Sequence, residues 1–359
     1  MRILFATDAR VDAGSIQAIA AYVRAGKALG HDFELWGKED KSFVGIPWAQ
    51  DPTWFHHVVF IYESKLRWLP PIDLVRLMPR VPKAQRAIID ADGMYNDRIV
   101  VDGYDRTHWK PDEQAEWVAH MDALASRIFQ PNPEPMRSKV RPLAFYGHPE
   151  AMEVPRDKAP AKELDVMLVG HNWWRWREVS TLILPALERL KGKVHGAQFL
   201  GRWWDEMHPS LVGTEVAIAF ESDPALFARA GVVTKPSVPF SDVMTTMSKA
   251  RINLMTQRPL FKHLKLLTSK FFEILCADTI PLSLIEADHA EAVYGKAGRE
   301  LALTGGPEQI ADKIADALAR PTHYAEVVDE VRKHVRVHHG YDKRVRDLVA
   351  ALEETRETA

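Results

Sequence analysis

The sequence predicts an α/β protein of two successive halves, each a doubly wound parallel sheet covered by helices, facing one another across a cleft. Three observations predict it. Short apolar runs alternate with helical patterns through the first third of the chain, the alternation stops in a proline-rich stretch, and it then restarts. Length agrees, since 359 residues at about 150 per domain suggest two domains.

In the first half, 2–7 reads as a strand, followed by a loop holding Gly14 and Ser15 and then a helix over 16–29. That helix places Ile16, Ile19, Ala20 and Val23 at three- and four-residue steps, with Gly30 where a C-terminal cap belongs. Further strands are expected at 33–36, 58–62, 86–90 and 127–130, with helices at 69–77 and 112–125. From 131 to 160, prolines at 131, 133, 135, 142, 149, 155 and 160 break every long pattern, apart from a strand-like island at 143–146. This stretch reads as the linker.

The second half opens with an apolar strand at 164–169 that ends in Gly170. The basic, aromatic run His171 to Arg177 and a helix over 178–190 follow. Strands are expected at 195–200, 215–220, 251–255 and 279–283, helices at 241–250 and 269–275, and three closing helices at 307–319, 324–337 and 342–354. The expected division is 1–150 and 151–341, with 342–354 packing back on the first domain.

Composition narrows the function classes. The chain is 46% hydrophobic and 27% charged, which is ordinary globular content. A single cysteine, Cys276, rules out an internal disulfide framework. With 47 basic and 49 acidic residues the net charge of -2 does not favour a nucleic-acid partner, although that acceptor class stays open. No apolar run approaches a membrane span of about 18 residues or a secretory core. A cytoplasmic location is therefore expected.

Several chemistries lack their motifs. There is no G-x-G-x-x-G, no G-x-x-x-x-G-K-[ST], no G-x-S-x-G and no H-E-x-x-H. His334 and His338 share a helix face, but Arg332, Lys333 and Arg336 around them would repel a dication. Asp90 and Asp92 form a D-x-D triplet, a weak metal signal at a strand end.

The informative stretch is 248–283. It reads as a buried strand, a loop, a short helix that starts with Ser269 and Lys270, and another buried strand. A hydroxyl and an ammonium at a helix N-terminus suit a phosphate. Glu273, one turn in, can accept bonds from two neighbouring hydroxyls such as those of a ribose. The alternative is an exposed glutamate on an amphipathic helix.

The run Phe271-Phe-Glu273-Ile-Leu-Cys-Ala-Asp-Thr-Ile-Pro281 resembles the R-x-F-E segment of GT-B glycosyltransferases, most closely the spore-maturation-protein type within the group 1 enzymes. Phe199-Leu-Gly-Arg-Trp203, Phe145-Tyr-Gly-His-Pro149 and His338-His-Gly-Tyr-Asp-Lys-Arg344 are similar to other segments of that family in the same order. The likeness is clearest over 140–350. It implies two Rossmann-like domains, a nucleotide-diphosphate sugar held by the second, and an acceptor hydroxyl presented by the first.

Carried across by position, Glu273 matches the glutamate that holds the donor ribose. Lys270 stands where the family usually has arginine, keeping the charge without the bidentate fork. Lys265 replaces the first glutamate of the E-x7-E pair of retaining relatives, and Asp278 replaces a glycine. The resemblance implies no metal and no cofactor beyond the donor. The remaining donor-side candidates are Ser269, Gly170, His171, Arg175 and Arg177, since cations must meet the departing diphosphate. Gly14 and Ser15 either line the cleft or cap their helix. Asp92 and Asp90 are the candidate bases, ranked ahead of Asp8. The rival readings are a sugar-nucleotide epimerase and a binding module that keeps the fold without the chemistry.

Overall fold

The computed structural model describes residues 1–7, 14–63, 76–108, 110 and 112–354. Asp8 and most of the helix expected at 69–77 lie outside the described residues.

The first half is built on strands β1 (Arg2–Ala6), β2 (Asp32–Trp36), β3 (Trp48–Ala49), β4 (His57–Tyr62) and β5 (Arg86–Asp90). A short hairpin, β6 (Val100–Val101) with β7 (Asp105–Arg106), stands apart, and β8 (Arg127–Gln130) and β9 (Val140–Pro142) finish the sheet. Seven of these strands pair in the order β3-β2-β1-β4-β5-β8-β9, every pair parallel. Central strands of such a sheet are covered on both faces, so they read as continuous apolar runs. Ile3, Leu4, Phe5 and Ala6 are all buried accordingly. Helices α1 (Gly14–Ala28) and α2 (Glu113–Leu124) belong to this half.

The second half repeats the plan. Strands β10 (Leu164–Val169), β11 (Ala197–Leu200), β12 (Val232–Lys235), β13 (Ala250–Met255) and β14 (Ile280–Ser283) form a parallel sheet ordered β12-β11-β10-β13-β14. The helix after β10, α3, runs over 176–189 and contains a π-turn at Val179–Ile183. Pro185 stands two residues beyond it, and a proline has no N–H to donate into the α-helical ladder.

Expectation and structure differ at 215–220. The residues expected as a strand form a 3-10 turn, Ala217–Phe220. The reason is periodicity: Val216, Ala219 and Phe220 are buried at helical spacing while Ile218 is exposed. The edge position goes instead to β12, preceded by α4 (Pro224–Ala230), whose N-terminus Asp223 caps through the Ala225 N–H. The helix expected at 241–250 is shorter, α5 (Val243–Met247) after a 3-10 turn. The helix expected at 269–275 is a single turn, α7 (Lys270–Glu273), continued as a 3-10 turn Ile274–Cys276. It follows α6 (Pro259–His263).

Helices α8 (Ala287–Tyr294), α9 (Pro307–Ala319) and α10 (Pro321–His339) lead to α11 (Tyr341–Glu353), which leaves the second half and packs against α1. The α11 side chains Val345, Leu348 and Leu352 are buried, and the Tyr341 ring meets Tyr22 edge-on at 5.6 Å. Arg344 is 2% exposed and donates from Nε to the Tyr146 carbonyl at 2.8 Å. Phe5, Tyr22, Phe145, Leu348, Phe272 and Leu275 belong to one connected buried cluster, so the core runs from one half into the other.

Candidate active site

The carboxyl ends of the two sheets converge, and there ligands bind in doubly wound folds. Three contacts define the approach. A Cβ on Gly14, at the start of α1, would come within 2.9 Å of the Ser269 Oγ. A Cβ on Gly93, just after β5, would come within 2.7 Å of Leu264. The Leu267 N–H donates to the Pro131 carbonyl at 2.8 Å. Only a residue without a side chain lets α1 approach Ser269 this closely.

On the first wall, Glu63 follows β4 and gathers its neighbours. The Ser15 backbone N–H and hydroxyl donate to its two oxygens at 2.9 and 2.7 Å, and the Tyr146 hydroxyl donates to Oε1 at 2.6 Å. Ser15 is fully buried and its hydroxyl is committed to Glu63. It therefore fixes the start of α1 and presents no hydroxyl to a ligand. The sequence signal for Glu63 was available, a carboxylate directly after a strand, but its partners come from residues 48 and 83 positions away.

Asp90 and Asp92 separate sharply. Asp90 is fully buried; its Oδ1 accepts the Met94 N–H at 2.9 Å, and its Oδ2 accepts from Tyr95 N at 2.7 Å and Gln130 Nε2 at 2.8 Å. Both oxygens are used in holding the turn that follows β5, so Asp90 is removed as a base and as half of a metal-binding D-x-D. Asp92 sits on that turn, half-buried. Desolvation pushes its carboxyl well above the ordinary carboxylate range; Arg258 of the second half pulls it back in part, and Glu63, Asp90 and Asp105 add to the rise. A carboxylate of raised basicity is one of the groups able to abstract a proton from a hydroxyl.

The second wall supplies cations. Gly170 follows β10, and Gly201 follows β11 so close beside it that a Cβ on Gly201 would fall 2.0 Å from the Gly170 carbonyl oxygen. Gly170, Arg175, Thr256 and Lys270 line one narrow pocket. Arg175 donates from Nη1 to the His171 carbonyl at 2.7 Å and from Nε to the Thr256 carbonyl at 3.3 Å. Burial lowers its pKa to about 10, with Glu178 opposing and Arg258 assisting. Its Nη2 takes no acceptor among the described residues. Lys270 Nζ lies 3.1 Å from Glu273 Oε2, and Glu273 is 4% exposed. The exposed-glutamate alternative is thereby excluded. His171 lies beside Trp203, its Nδ1 accepting the Arg202 N–H at 3.0 Å.

Arg177 is not part of this pocket. It is exposed, donates to the Asp102 carbonyl at 2.7 Å and rests over the Tyr104 ring. It belongs to a clasp that sequence reasoning missed. The hairpin β6–β7 of the first half reaches the second, where the fully buried Asp105 accepts from Arg258 Nε at 2.8 Å and from the Leu260 N–H at 2.7 Å. Tyr104 stacks on Trp174 at 6.0 Å, and Arg106 pairs with Glu215. Among the described residues, no group of three or more His, Cys, Asp or Glu could hold a metal ion. Nor is any described helix long and apolar enough to cross a membrane.

Residues 161–350, more than half of the chain, match the family described as glycosyl transferase-like. The chain belongs to this family. No curated protein sequence matches it. Among solved structures, T4 phage β-glucosyltransferase, solved in one case with UDP and Mn2+, superposes with a TM-score of 0.61 at 10% identity, covering 99% of this chain and 100% of the other. An α-glucosyltransferase in complex with UDP and a 13-mer DNA gives 0.63 at 10%, with coverage of 99% and 100%. A glycosyltransferase from Rickettsia africae gives 0.62 at 11%, with coverage of 100% and 99%. At such identities the likeness is one of fold, and that fold is GT-B. Family and fold together make this glycosyltransferase-like chain a transferase of sugars.

Proposed function

We propose that this glycosyltransferase moves a sugar from a UDP-linked donor to an acceptor hydroxyl, with the donor on the second half and the acceptor on the first. The observation that supports the reading is the pair of features at the carboxyl ends of the two sheets: a carboxylate of raised basicity on the first half, Asp92, close enough to Arg258 of the second half to feel its charge, and a second-half pocket lined by Arg175 and Lys270. UDP is the nucleotide bound by two of the structurally similar enzymes. The likeness of 271–281 to the spore-maturation-protein type belongs to the same reading.

In this mechanism Glu273 accepts hydrogen bonds from the ribose hydroxyls, while Lys270 and Arg175 meet the diphosphate. The acceptor oxygen forms its bond to the anomeric carbon as the bond to the diphosphate breaks. Asp92 takes the hydroxyl proton, and UDP leaves with the electron pair. Positioned cations of this kind stabilise charge as it develops on the leaving group. The proposed transfer uses no metal; the hydrogen bonds that occupy both Asp90 oxygens support this reading by leaving no D-x-D pair to hold one.

The test is release of UDP from UDP-glucose with and without a strong chelator. Slow turnover that survives chelation is expected. Turnover abolished by the chelator and restored by manganese would overturn metal independence. UDP binding without any sugar release would favour the binding-module reading, and interconversion of the sugar without release would favour an epimerase.

A further inference from the structure

A second hollow lies on the first half, away from the pocket of Arg175 and Lys270. It has a volume of about 970 Å³ and is lined by Trp36, Gly37, Lys38, Gln50, Arg76 and Arg80, with Pro79 beside them. Trp36 is the last residue of β2, and Gln50 follows β3, so the hollow opens at the carboxyl edge of the sheet, where ligands bind. Among the described residues, no acidic side chain is in the lining. Lys38 and Arg76 are exposed and have no ion-pair partner among the described residues. Arg80 pairs with Asp51 at 3.0 Å, but both are largely exposed, and such a pair is weak and readily exchanged. Trp36 is only 7% exposed, and its indole Nε1 is buried with no hydrogen-bond partner.

Three cations around one open hollow call for an anion rich in acceptor oxygens. We infer that this hollow binds a phosphoryl group carried by the sugar acceptor. The inference rests on the proposed transfer, and it names the class of acceptor. A compact phosphoryl group fits better than a nucleic-acid backbone, which needs a basic stripe rather than three cations in one hollow. The sheet order also sets a length. From β2 to β5, whose following turn carries Asp92, is three strand spacings, or about 14 Å at ~4.8 Å each. The accepting hydroxyl and the bound phosphoryl group are therefore separated by roughly that span.

The test titrates inorganic pyrophosphate into the full-length protein by calorimetry with UDP present at saturation, so that the donor-side cations are already occupied. Wild type is expected to bind pyrophosphate under these conditions. The double variant Lys38→Ala, Arg76→Ala is expected to bind it at least tenfold more weakly, with UDP affinity and melting temperature unchanged. Both side chains are exposed, so folding is not at issue. Equal pyrophosphate affinity in the variant would overturn the inference, as would binding that disappears once UDP is saturating. A short DNA duplex that binds wild type while pyrophosphate does not would overturn it in favour of nucleic acid. If UDP itself fails to bind, the donor reading falls, while the comparison of wild type with the variant still tests the hollow.

Discussion

Replacing Glu273 by glutamine separates ribose recognition from diphosphate recognition. Glu273 is 4% exposed, and its side-chain ion-pair partner is Lys270 at 3.1 Å. Glutamine keeps the volume and one acceptor oxygen, so the ribose loses the equivalent of one charge-assisted hydrogen bond, about 1.5–3 kcal/mol. Against this, Lys270 is freed from a half-exposed pair worth at most about 1 kcal/mol and can turn fully to the diphosphate. The net loss for UDP is about 0.5–3 kcal/mol, or roughly 2- to 140-fold in Kd. Pyrophosphate has no ribose, so Glu273→Gln should leave its affinity at the donor site unchanged or improve it by up to about fivefold. Calorimetry with both ligands on wild type and variant reads the two terms separately. Unchanged UDP affinity in a folded variant, or equal weakening of both ligands, would refute the assignment of Glu273 to the ribose.

Three further outcomes are expected. Asp92→Asn should lower kcat by about 10²–10⁴-fold, the usual worth of a general base. It should also raise the melting temperature at neutral pH. The folded pKa of Asp92 lies above its unfolded value, so the folded state holds the proton longer and stability falls as pH rises through that window; the variant should lack this fall. A fall of the same size in both proteins would count against a buried, raised carboxyl. Arg258→Ala leaves the buried Asp105 carboxylate uncompensated and should cost about 3–5 kcal/mol in denaturant unfolding, with Asp105→Asn, Arg258→Ala together losing less than the sum of the single changes. Leu348→Ala, at a fully buried position of α11, should cost about 2–5 kcal/mol in the same assay, and a negligible cost would show the α1–α11 contact to be loose.

Much of the fold was legible because parallel strands buried on both faces need continuous apolar runs. Residues 3–6, 58–62 and 166–168 carry such runs and lie in strands. The reading failed at 215–220, where a six-residue apolar pattern fits a strand or a helical turn until its neighbours are known. Val216, Ala219 and Phe220 are turned inward by Tyr104 and Trp174, and Tyr104 comes from the other half of the chain. The edge strand β12 was missed for the complementary reason. Its four residues are short, and their burial is mixed.

The sequence by itself determined two alternating α/β halves, a likeness to GT-B enzymes carried by Phe271–Pro281, and a set of candidate residues at strand ends. Backbone periodicity and local spacing suffice for these. Only the tertiary structure decided which candidates are available for chemistry. Asp90 and Asp92 are the same residue type two positions apart, yet Asp90 is consumed by Met94, Tyr95 and Gln130 while Asp92 stays half-buried on the following turn, within the field of Arg258. Arg175 and Arg177 divide in the same way, one lining the pocket and one gripping the β6–β7 hairpin. Glu63 with Tyr146, and Asp105 with Arg258, meet across 83 and 153 residues of sequence. Hydrogen-bond saturation and desolvation depend on what packs around a group, and for these side chains the packing partners come from distant parts of the chain.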